Sequence, residues 1–261
     1  MKSPPVALVT GSGSRRVGWH VAKTLADKGY RIALHYRTSQ AEAMKSVEDL
    51  RRAGVDAEAY GADLTSQEQV VGLVRRTLGD FGRIDVLVNC AAAWKPKRLE
   101  EISAEHVMMY FETNALSTFL CCQQVGLAMV QQKEGGCIIN LGDWADARPY
   151  LNYAAYFPSK GAVHTMTRVF AVELGSRNPR VRVNCIQPGP VMLPPDLPEA
   201  ERNEAIQATL VKREGSPLHI AAAVLHFIEN NFITGVCLPV DGGRTVYAPE
   251  SPSSEESPGE D

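Results

Sequence analysis

Tyr156 and Lys160 are the residues of this sequence best suited by type and spacing to acid–base chemistry. They are four positions apart, and on a helix residues at this spacing share a face. A phenol has a pKa of about 10 and is a poor acid or base near neutrality, but a nearby ammonium favours the phenolate and lowers that pKa. The pair therefore predicts a tyrosine that exchanges a proton with a ligand, with a surface Tyr beside a solvated Lys as the alternative.

The helix that carries this pair is predicted to begin near Ala154 or Ala155. Pro158 is tolerated only in a first helical turn, and the helical pattern continues to about Leu174. Tyr156 should therefore lie at the mouth of the helix, where a ligand can reach it.

A glycine-rich turn near the N-terminus is typical of a phosphate-binding loop. The apolar strand 6–10 runs into Gly11-Ser-Gly-Ser-Arg-Arg-Val-Gly18, and a helical pattern follows. Glycines allow a close approach of the backbone, and the N–H groups of the helix point at the anion. We therefore predict a nucleotide site here, with a plain tight turn as the alternative.

The end of the second strand, 32–36, indicates which dinucleotide binds. In NAD sites an Asp or Glu near this point binds the ribose hydroxyls, but residues 31 to 39 contain no acid and offer His35, Arg37 and Ser39 instead. This composition favours the 2′-phosphate of NADP. The alternative is a solvated Arg37 on a loop at the strand end.

Strands and helices alternate through the rest of the chain. Further strands are predicted at about 57–60, 84–89, 137–139, 181–186 and 236–240, and further helices at about 40–53, 65–78, 104–132 and 217–230. A capping box of Thr65 and Glu68 should open the third helix. This alternation predicts one α/β domain, a Rossmann-like, doubly wound parallel sheet with helices on both faces and ligands at the carboxyl ends of the strands.

The chain divides into a domain at 1–248 and a tail at 249–261. The tail holds five acids, no base, three Pro and four Ser, so we expect it to be disordered. Residues 191–212 are apolar, then Pro-rich, then helical, and we expect them to form a mobile lid over the site.

Composition and charge exclude several functional classes. A net charge of −3 gives no electrostatic case for a nucleic acid or an anionic membrane as partner, and no run reaches the length of a membrane helix. The six Cys form no C-x-x-C pair, which indicates reduced thiols rather than a metal site. We expect a cytoplasmic protein, and the helix at 104–132, apolar on two sides, indicates partial burial or a contact between subunits.

Residues 5 to 245 resemble the short-chain dehydrogenase/reductase superfamily. The resemblance rests on Thr10-Gly11, Asp63, Asn89-Cys90-Ala91-Ala92, Asn114, Tyr156 with Lys160, Pro188-Gly189 and Asp241-Gly242-Gly243. It implies an oligomer, usually a tetramer or dimer, that moves hydride to or from a nicotinamide. In this family Tyr156 would donate the proton, Lys160 would lower its pKa and hold the ribose, and Asn114 would position a water. The implied NADPH site comprises Gly11, Arg16, Val17, Gly18, His35, Tyr36, Arg37, Thr38, Ser39, Asp63, Leu64, Asn89, Ala91, Lys160, Pro188 and Gly189.

Three departures from the superfamily pattern are similar to the pteridine reductases. The superfamily usually has a Ser thirteen residues before the Tyr, but this position is Asp143, and residues 138 to 150 contain no Ser or Thr. Arg16 stands where most members have Gly, in a loop one residue longer than the pteridine reductase pattern, and a His-Tyr pair ends the second strand. The implied substrate-binding residues are Arg16, Trp94, Asp143, Tyr153 and Tyr156.

The chemistry of a carboxyl group supports this resemblance. A carboxylate accepts hydrogen bonds from the amino-pyrimidine edge of a pterin, and a protonated carboxyl donates to a ring nitrogen. The alternatives are that Asp143 only forms a turn and that Trp94 only packs in the lid. The leading hypothesis is an NADPH-dependent reductase of a pteridine or similar flat heterocycle. The others are a reductase of ketones or 3-oxoacyl thioesters, and a nucleotide-binding regulator without turnover.

Overall fold

A computed structural model describes residues 3–247 of the chain and shows a seven-stranded sheet in the order β3-β2-β1-β4-β5-β6-β7. All six neighbouring pairs are parallel. The strands are β1 (Val6–Thr10), β2 (Arg31–Tyr36), β3 (Ala57–Gly61), β4 (Val86–Asn89), β5 (Gly136–Leu141), β6 (Val181–Pro188) and β7 (Cys237–Val240). The predicted doubly wound α/β fold is confirmed.

Helices cover both faces of this sheet. They are α1 (Val17–Asp27), α2 (Gln40–Arg52), α3 (Gln67–Phe81), α4 (Ala104–Tyr110), α5 (Ser117–Gln131), α6 (Phe157–Gly175), α7 (Glu199–Gln207) and α8 (Pro217–Glu229). Side chains alternate between the faces of a strand, so Ala7 and Val9 pack in one core with α1 and α8. Val6 and Leu8 pack in a second core with α3, α5 and α6. No helix of the described residues is long and apolar enough to cross a membrane.

Helix α6 begins two to three residues later than predicted. Its first residue is Phe157, and Tyr156 is the N-cap. Residues 154 and 155 form turns instead, because the carbonyl of Tyr153 accepts hydrogen bonds from the N–H groups of Tyr156 and Phe157. Pro158 still lies in the first turn, as its ring requires.

The predicted capping box of Thr65 and Glu68 is wrong. Ser66 caps α3, and its hydroxyl accepts a hydrogen bond from the N–H of Gln69. Thr65 is not available, because its hydroxyl donates to Asp63 Oδ1 at 2.8 Å. The helix therefore starts one residue later than the capping box predicted.

The helical region predicted at 104–132 is continuous but is not one regular α-helix. A π-helical turn, Phe111–Leu116, separates α4 from α5. Such insertions often occur at functional sites, and this turn carries Asn114. The tail at 249–261 lies outside the described residues, and the proposed lid at 191–212 contains α7.

Candidate active site

The carboxyl ends of the central strands border a cavity of about 1100 Å³. Its wall is formed by the segments that follow all seven strands, together with α7. The residues of the predicted site that line it are Gly11, Arg16, Val17, Gly18, His35, Arg37, Asp63, Leu64, Ala91, Trp94, Asp143, Tyr153, Tyr156, Lys160, Pro188 and Gly189. Parallel strands place their carboxyl ends at one edge of a sheet, which explains why these distant residues meet.

One end of the cavity is a glycine cradle at the N-terminus of α1. Gly11 has a φ of +61°, and a Cβ there would lie 2.8 Å from the Cα of Ala91. No side chain caps α1, and its first turn carries no acid. Free helical N–H groups next to a close backbone approach fit the pyrophosphate of a dinucleotide.

The side chain of His35 holds the glycine cradle in place. Its Nδ1 accepts a hydrogen bond from the N–H of Gly11 at 3.1 Å, and its Nε2 contacts the carbonyl of Ala62 at 3.0 Å. Burial lowers the pKa of this histidine to about 4, so the ring is neutral and holds the loop against the second strand.

The other residues at the end of β2 divide into two groups. Arg37 is exposed and lines the cavity near Asp63, whose pKa is lowered mainly by the hydrogen bond from the N–H of Thr65. Tyr36 and Ser39 pack against Gly13, where a Cβ would approach them within 2.8 Å. They and Thr38 are not among the residues that line the cavity.

Asp143 and Tyr156 are directly hydrogen-bonded at the middle of the cavity. The hydroxyl of Tyr156 donates to Asp143 Oδ2 at 2.8 Å. Asp143 Oδ1 accepts a hydrogen bond from the N–H of Ala145 at 2.9 Å and so caps the short turn Trp144–Asp146. The carboxyl group therefore forms the turn with one oxygen and holds the tyrosine with the other. Burial raises its pKa, which favours the protonated form.

That Lys160 lowers the pKa of Tyr156 stays a prediction, because other groups determine the net direction of the shift in this structure. Burial, and then the charge of Asp143, raises the pKa of Tyr156. The ammonium of Lys160 is buried and donates to the carbonyl of Leu141 at 2.6 Å, while the phenol is paired with a carboxyl group. Tyr156 therefore holds its proton firmly and is arranged as a donor rather than a base.

Asn114 and Asn89 support the site from behind and do not line the cavity. Asn114 Nδ2 donates to the carbonyl of Ala93 and to Ser159 Oγ, both at 3.0 Å, and its Oδ1 accepts from the N–H of Ala93. It thus ties the loop after β4 to α6. Asn89 Nδ2 donates to Asn140 Oδ1 at 2.9 Å between neighbouring strands.

Aromatic side chains surround the other end of the cavity. The rings of Trp94 and Tyr153 are 6.2 Å apart, and those of Tyr153 and Tyr156 are 6.0 Å apart. Trp144 stacks on Tyr150 at 5.9 Å. Three residues that the sequence did not single out also line this end: Trp144, Tyr150 and Arg244. The first two are within seven positions of Asp143, but Arg244 gave no signal beyond following the motif Asp241-Gly242-Gly243.

A buried acid–histidine pair that the sequence did not indicate lies near Asp143. His164 Nε2 lies 3.0 Å from Asp146 Oδ2, in an orientation outside that of a good hydrogen bond. Burial raises the pKa of Asp146 to about 7 and lowers that of His164 to about 4. Between these values the pair holds one proton.

This pair has a testable effect on stability. Between pH 4 and 6.5 the unfolded chain also holds one proton, on the histidine, so the pair adds little pH dependence. In Asp146→Asn only His164 titrates, and because its pKa is lowered on folding the free energy of unfolding should rise with pH in this window. Urea denaturation at several pH values measures this. Parallel pH profiles for variant and wild type would contradict the assignment.

Comparisons with known proteins agree on the family. Residues 12–245 match the family model described as enoyl-(acyl carrier protein) reductase. The chain is 36% identical over 250 residues to the short-chain reductase protein NovJ of Streptomyces niveus, covering 92% of this chain and 93% of that protein. It is 31% identical over 241 residues to a 3-oxoacyl-[acyl-carrier-protein] reductase of Staphylococcus epidermidis, covering 91% and 97%.

A third relative is described only as an uncharacterised oxidoreductase, from Methylorubrum extorquens. It is 33% identical to this chain over 245 residues, covering 91% of this chain and 96% of that protein. None of these three descriptions names a pteridine reductase, so the finer resemblance stays a hypothesis. The matched family model, the parallel sheet and the relatives together show that the chain is an oxidoreductase that belongs to the short-chain dehydrogenase/reductase superfamily.

Proposed function

We propose that the chain is an NADPH-dependent reductase in which Tyr156 donates a proton to the substrate. The observation that carries the proposal is the hydrogen bond between Tyr156 and Asp143, in a cavity that continues to the glycine cradle. NADPH supplies a hydride when it is bound. Gly11, Gly18 and the start of α1 would hold its phosphates, and Lys160 its nicotinamide ribose.

Ketones and 3-oxoacyl thioesters are the substrate class that the relatives support best. One of them is named as a 3-oxoacyl-[acyl-carrier-protein] reductase. In this proposal Tyr156 protonates the oxygen of the carbonyl as it is reduced. The aromatic end of the cavity would bind the acyl chain.

A pteridine or similar flat heterocycle is the second candidate, and Asp143 favours it. A protonated carboxyl beside Tyr156 can donate to a ring nitrogen, which a ketone does not have. Trp94 and Tyr153 offer aromatic faces to a flat ring. Arg16, which is exposed and lines the cavity, would contribute from the cofactor side.

A substrate panel separates the two candidates. NADPH oxidation is measured with dihydropterins, dihydrofolate, quinones and an acetoacetyl thioester. If the substrates are ketones or 3-oxoacyl thioesters, we expect kcat/KM to be highest for the acetoacetyl thioester. If the substrate is a pteridine or similar flat heterocycle, we expect it to be highest for a dihydropterin. Absence of NADPH oxidation with every compound would leave a nucleotide-binding protein without turnover.

Arg37 should determine the choice of cofactor. Its guanidinium can form charge-assisted hydrogen bonds with a 2′-phosphate, which NADH lacks. Arg37→Ala should raise the KM for NADPH far more than that for NADH, and high salt should reduce the difference. Initial rates with both cofactors measure this. An equal rise for both would mean that Arg37 contacts a part that they share.

We also propose a homotetramer. Phe119 and Leu127 on α5 are 38% and 41% exposed, and Val169 and Val172 on the neighbouring α6 are 48% and 71% exposed. Such an apolar surface is typical of a contact between subunits. Val172→Glu should therefore shift the sedimentation coefficient towards a smaller species, whereas Val172→Thr should not. A wild-type monomer would contradict the proposal.

A further inference from the structure

We propose that Arg244 binds a carboxylate group carried by the substrate. This inference deepens the proposed reductase function and concerns the part of the cavity that is lined by aromatic side chains. It assigns a specificity-determining role to a residue that follows the last strand, about a hundred positions after Asp143 in the chain.

The guanidinium of Arg244 is placed beside the catalytic residues by the fold. Its central carbon lies 4.5 Å from the centre of the Trp144 ring, and Trp144 is the neighbour of Asp143 in the chain. Arg244 lines the same cavity as Asp143 and Tyr156. A substrate that reaches Tyr156 therefore lies in the cavity that this cation borders.

The backbone around Arg244 is held in place by hydrogen bonds. Asp241 Oδ2 accepts from the N–H and the hydroxyl of Thr245, both at 2.6 Å, and Asp241 Oδ1 accepts from the N–H of Gly243 at 2.9 Å. Arg148 Nη1 donates to the carbonyl of Arg244 at 2.9 Å. A preorganised position of this kind reduces the cost of ordering when a ligand binds.

The guanidinium of Arg244 has N–H donors that form no hydrogen bond with residues 3–247. Its one hydrogen bond to the residues 3–247 runs from Nη1 to the carbonyl of Ala205 on α7, at 2.9 Å, whereas a guanidinium has five N–H donors. Among the same residues no carboxylate lies within ion-pair distance of it. Arg244 is half-buried, so water solvates the cation incompletely, and this burial lowers its pKa.

The other charged groups at this end of the cavity do not prevent an anion from binding beside Arg244. Glu201 and Glu204 line the cavity from α7, but both are exposed, so water and salt screen their charges. Asp143 is already paired with Tyr156. The guanidinium of Arg148 adds positive charge near Arg244 without lining the cavity. A carboxylate is the group that a planar guanidinium fork with free donors binds best.

The test compares substrates that differ in a carboxylate. One pair is dihydrofolate, which carries carboxylates, and dihydrobiopterin, which does not; the second is acetoacetate and its methyl ester. Arg244→Met removes the charge and Arg244→Lys keeps it. Arg75→Met is the matched control, because Arg75 is exposed on α3 and does not line the cavity. We expect Arg244→Met to lower kcat/KM by about tenfold or more for the carboxylated member, with a small change for the neutral one. Arg244→Lys should lie between Arg244→Met and wild type, and Arg75→Met should preserve the preference.

A binding measurement separates this inference from the proposed reaction. Quenching of tryptophan fluorescence measures the affinity for benzoate and for its neutral analogue benzamide. Wild type should prefer benzoate, and Arg244→Met should lose that preference, even if none of the four substrates is reduced and the proposed function fails. The inference is overturned if Arg244→Met weakens charged and neutral ligands equally, since Arg244 would then only hold α7 through Ala205. It is also overturned if Arg75→Met abolishes the preference as fully as Arg244→Met.

Discussion

Tyr156→Phe should lower kcat for NADPH-dependent reduction by about 10²–10⁴-fold, the usual contribution of a general acid. The phenol is buried and its pKa is raised, so it keeps its proton until a substrate atom accepts it. Phe retains the ring that packs against Tyr110 at 5.9 Å and Tyr153 at 6.0 Å. The loss should therefore reflect the missing proton rather than a collapsed cavity.

Cofactor affinity provides the control for this variant. The glycine cradle and Lys160 remain intact, so the dissociation constant for NADPH, measured by fluorescence, should change little. Tyr153→Phe is a matched variant, because it removes a hydroxyl from the same aromatic cluster without removing the proposed donor. If Tyr156→Phe stayed within about threefold of the wild-type kcat, another residue would have to supply the proton.

Asp143→Ser should change the ratio of heterocycle to ketone reduction by about tenfold or more, since a hydrogen bond to a charged or acidic group contributes about 1.5–3 kcal/mol. The carboxyl of Asp143 is hydrogen-bonded to Tyr156 at 2.8 Å, and Ser is the residue that the superfamily usually has there. A Ser hydroxyl can donate a hydrogen bond to a ketone oxygen, but it is a weaker hydrogen-bond donor to a pterin nitrogen than a protonated carboxyl group is. The measurement is kcat/KM for a dihydropterin and a simple ketone in both proteins. An unchanged ratio would mean that Asp143 only caps the turn Trp144–Asp146.

The pH profile gives a second readout of Asp143. Burial raises the pKa of its carboxyl, so the protonated donor is lost as pH rises through that raised value. Reduction of a dihydropterin should fall with rising pH over this range. Asp143→Asn cannot lose this proton, so its profile should lack that decline. A decline that is identical in Asp143→Asn would assign it to another group.

The sequence by itself determined the fold class and the edge of the sheet where the site lies. Apolar runs of strand length alternate with helical patterns, and the period of side-chain burial is a local property. The turn after β1 and the missing acid at the end of β2 are also local, so the prediction of a nucleotide site depends only on neighbouring residues. The boundaries of α3 and α6 were less predictable. At Thr65 and Tyr156 the competing hydrogen bonds are made with Asp63 and Tyr153, and several turns are compatible with the same sequence.

Only the tertiary structure decided the chemistry of individual groups. Lys160 was predicted to lower the pKa of Tyr156, but the pKa of a buried phenol depends on its solvation and its nearest charge, and both depend on the packing of distant segments. Asn114 was predicted to position a water with its side-chain amide. In the structure this amide is hydrogen-bonded to Ala93 and Ser159. Arg244 contacts Trp144 because β6 pairs with both β5 and β7, so the segments that follow β5 and β7 lie at the same edge of the sheet. The sequence specifies which groups exist, whereas their proton affinities and free donors depend on contacts between residues far apart in the chain.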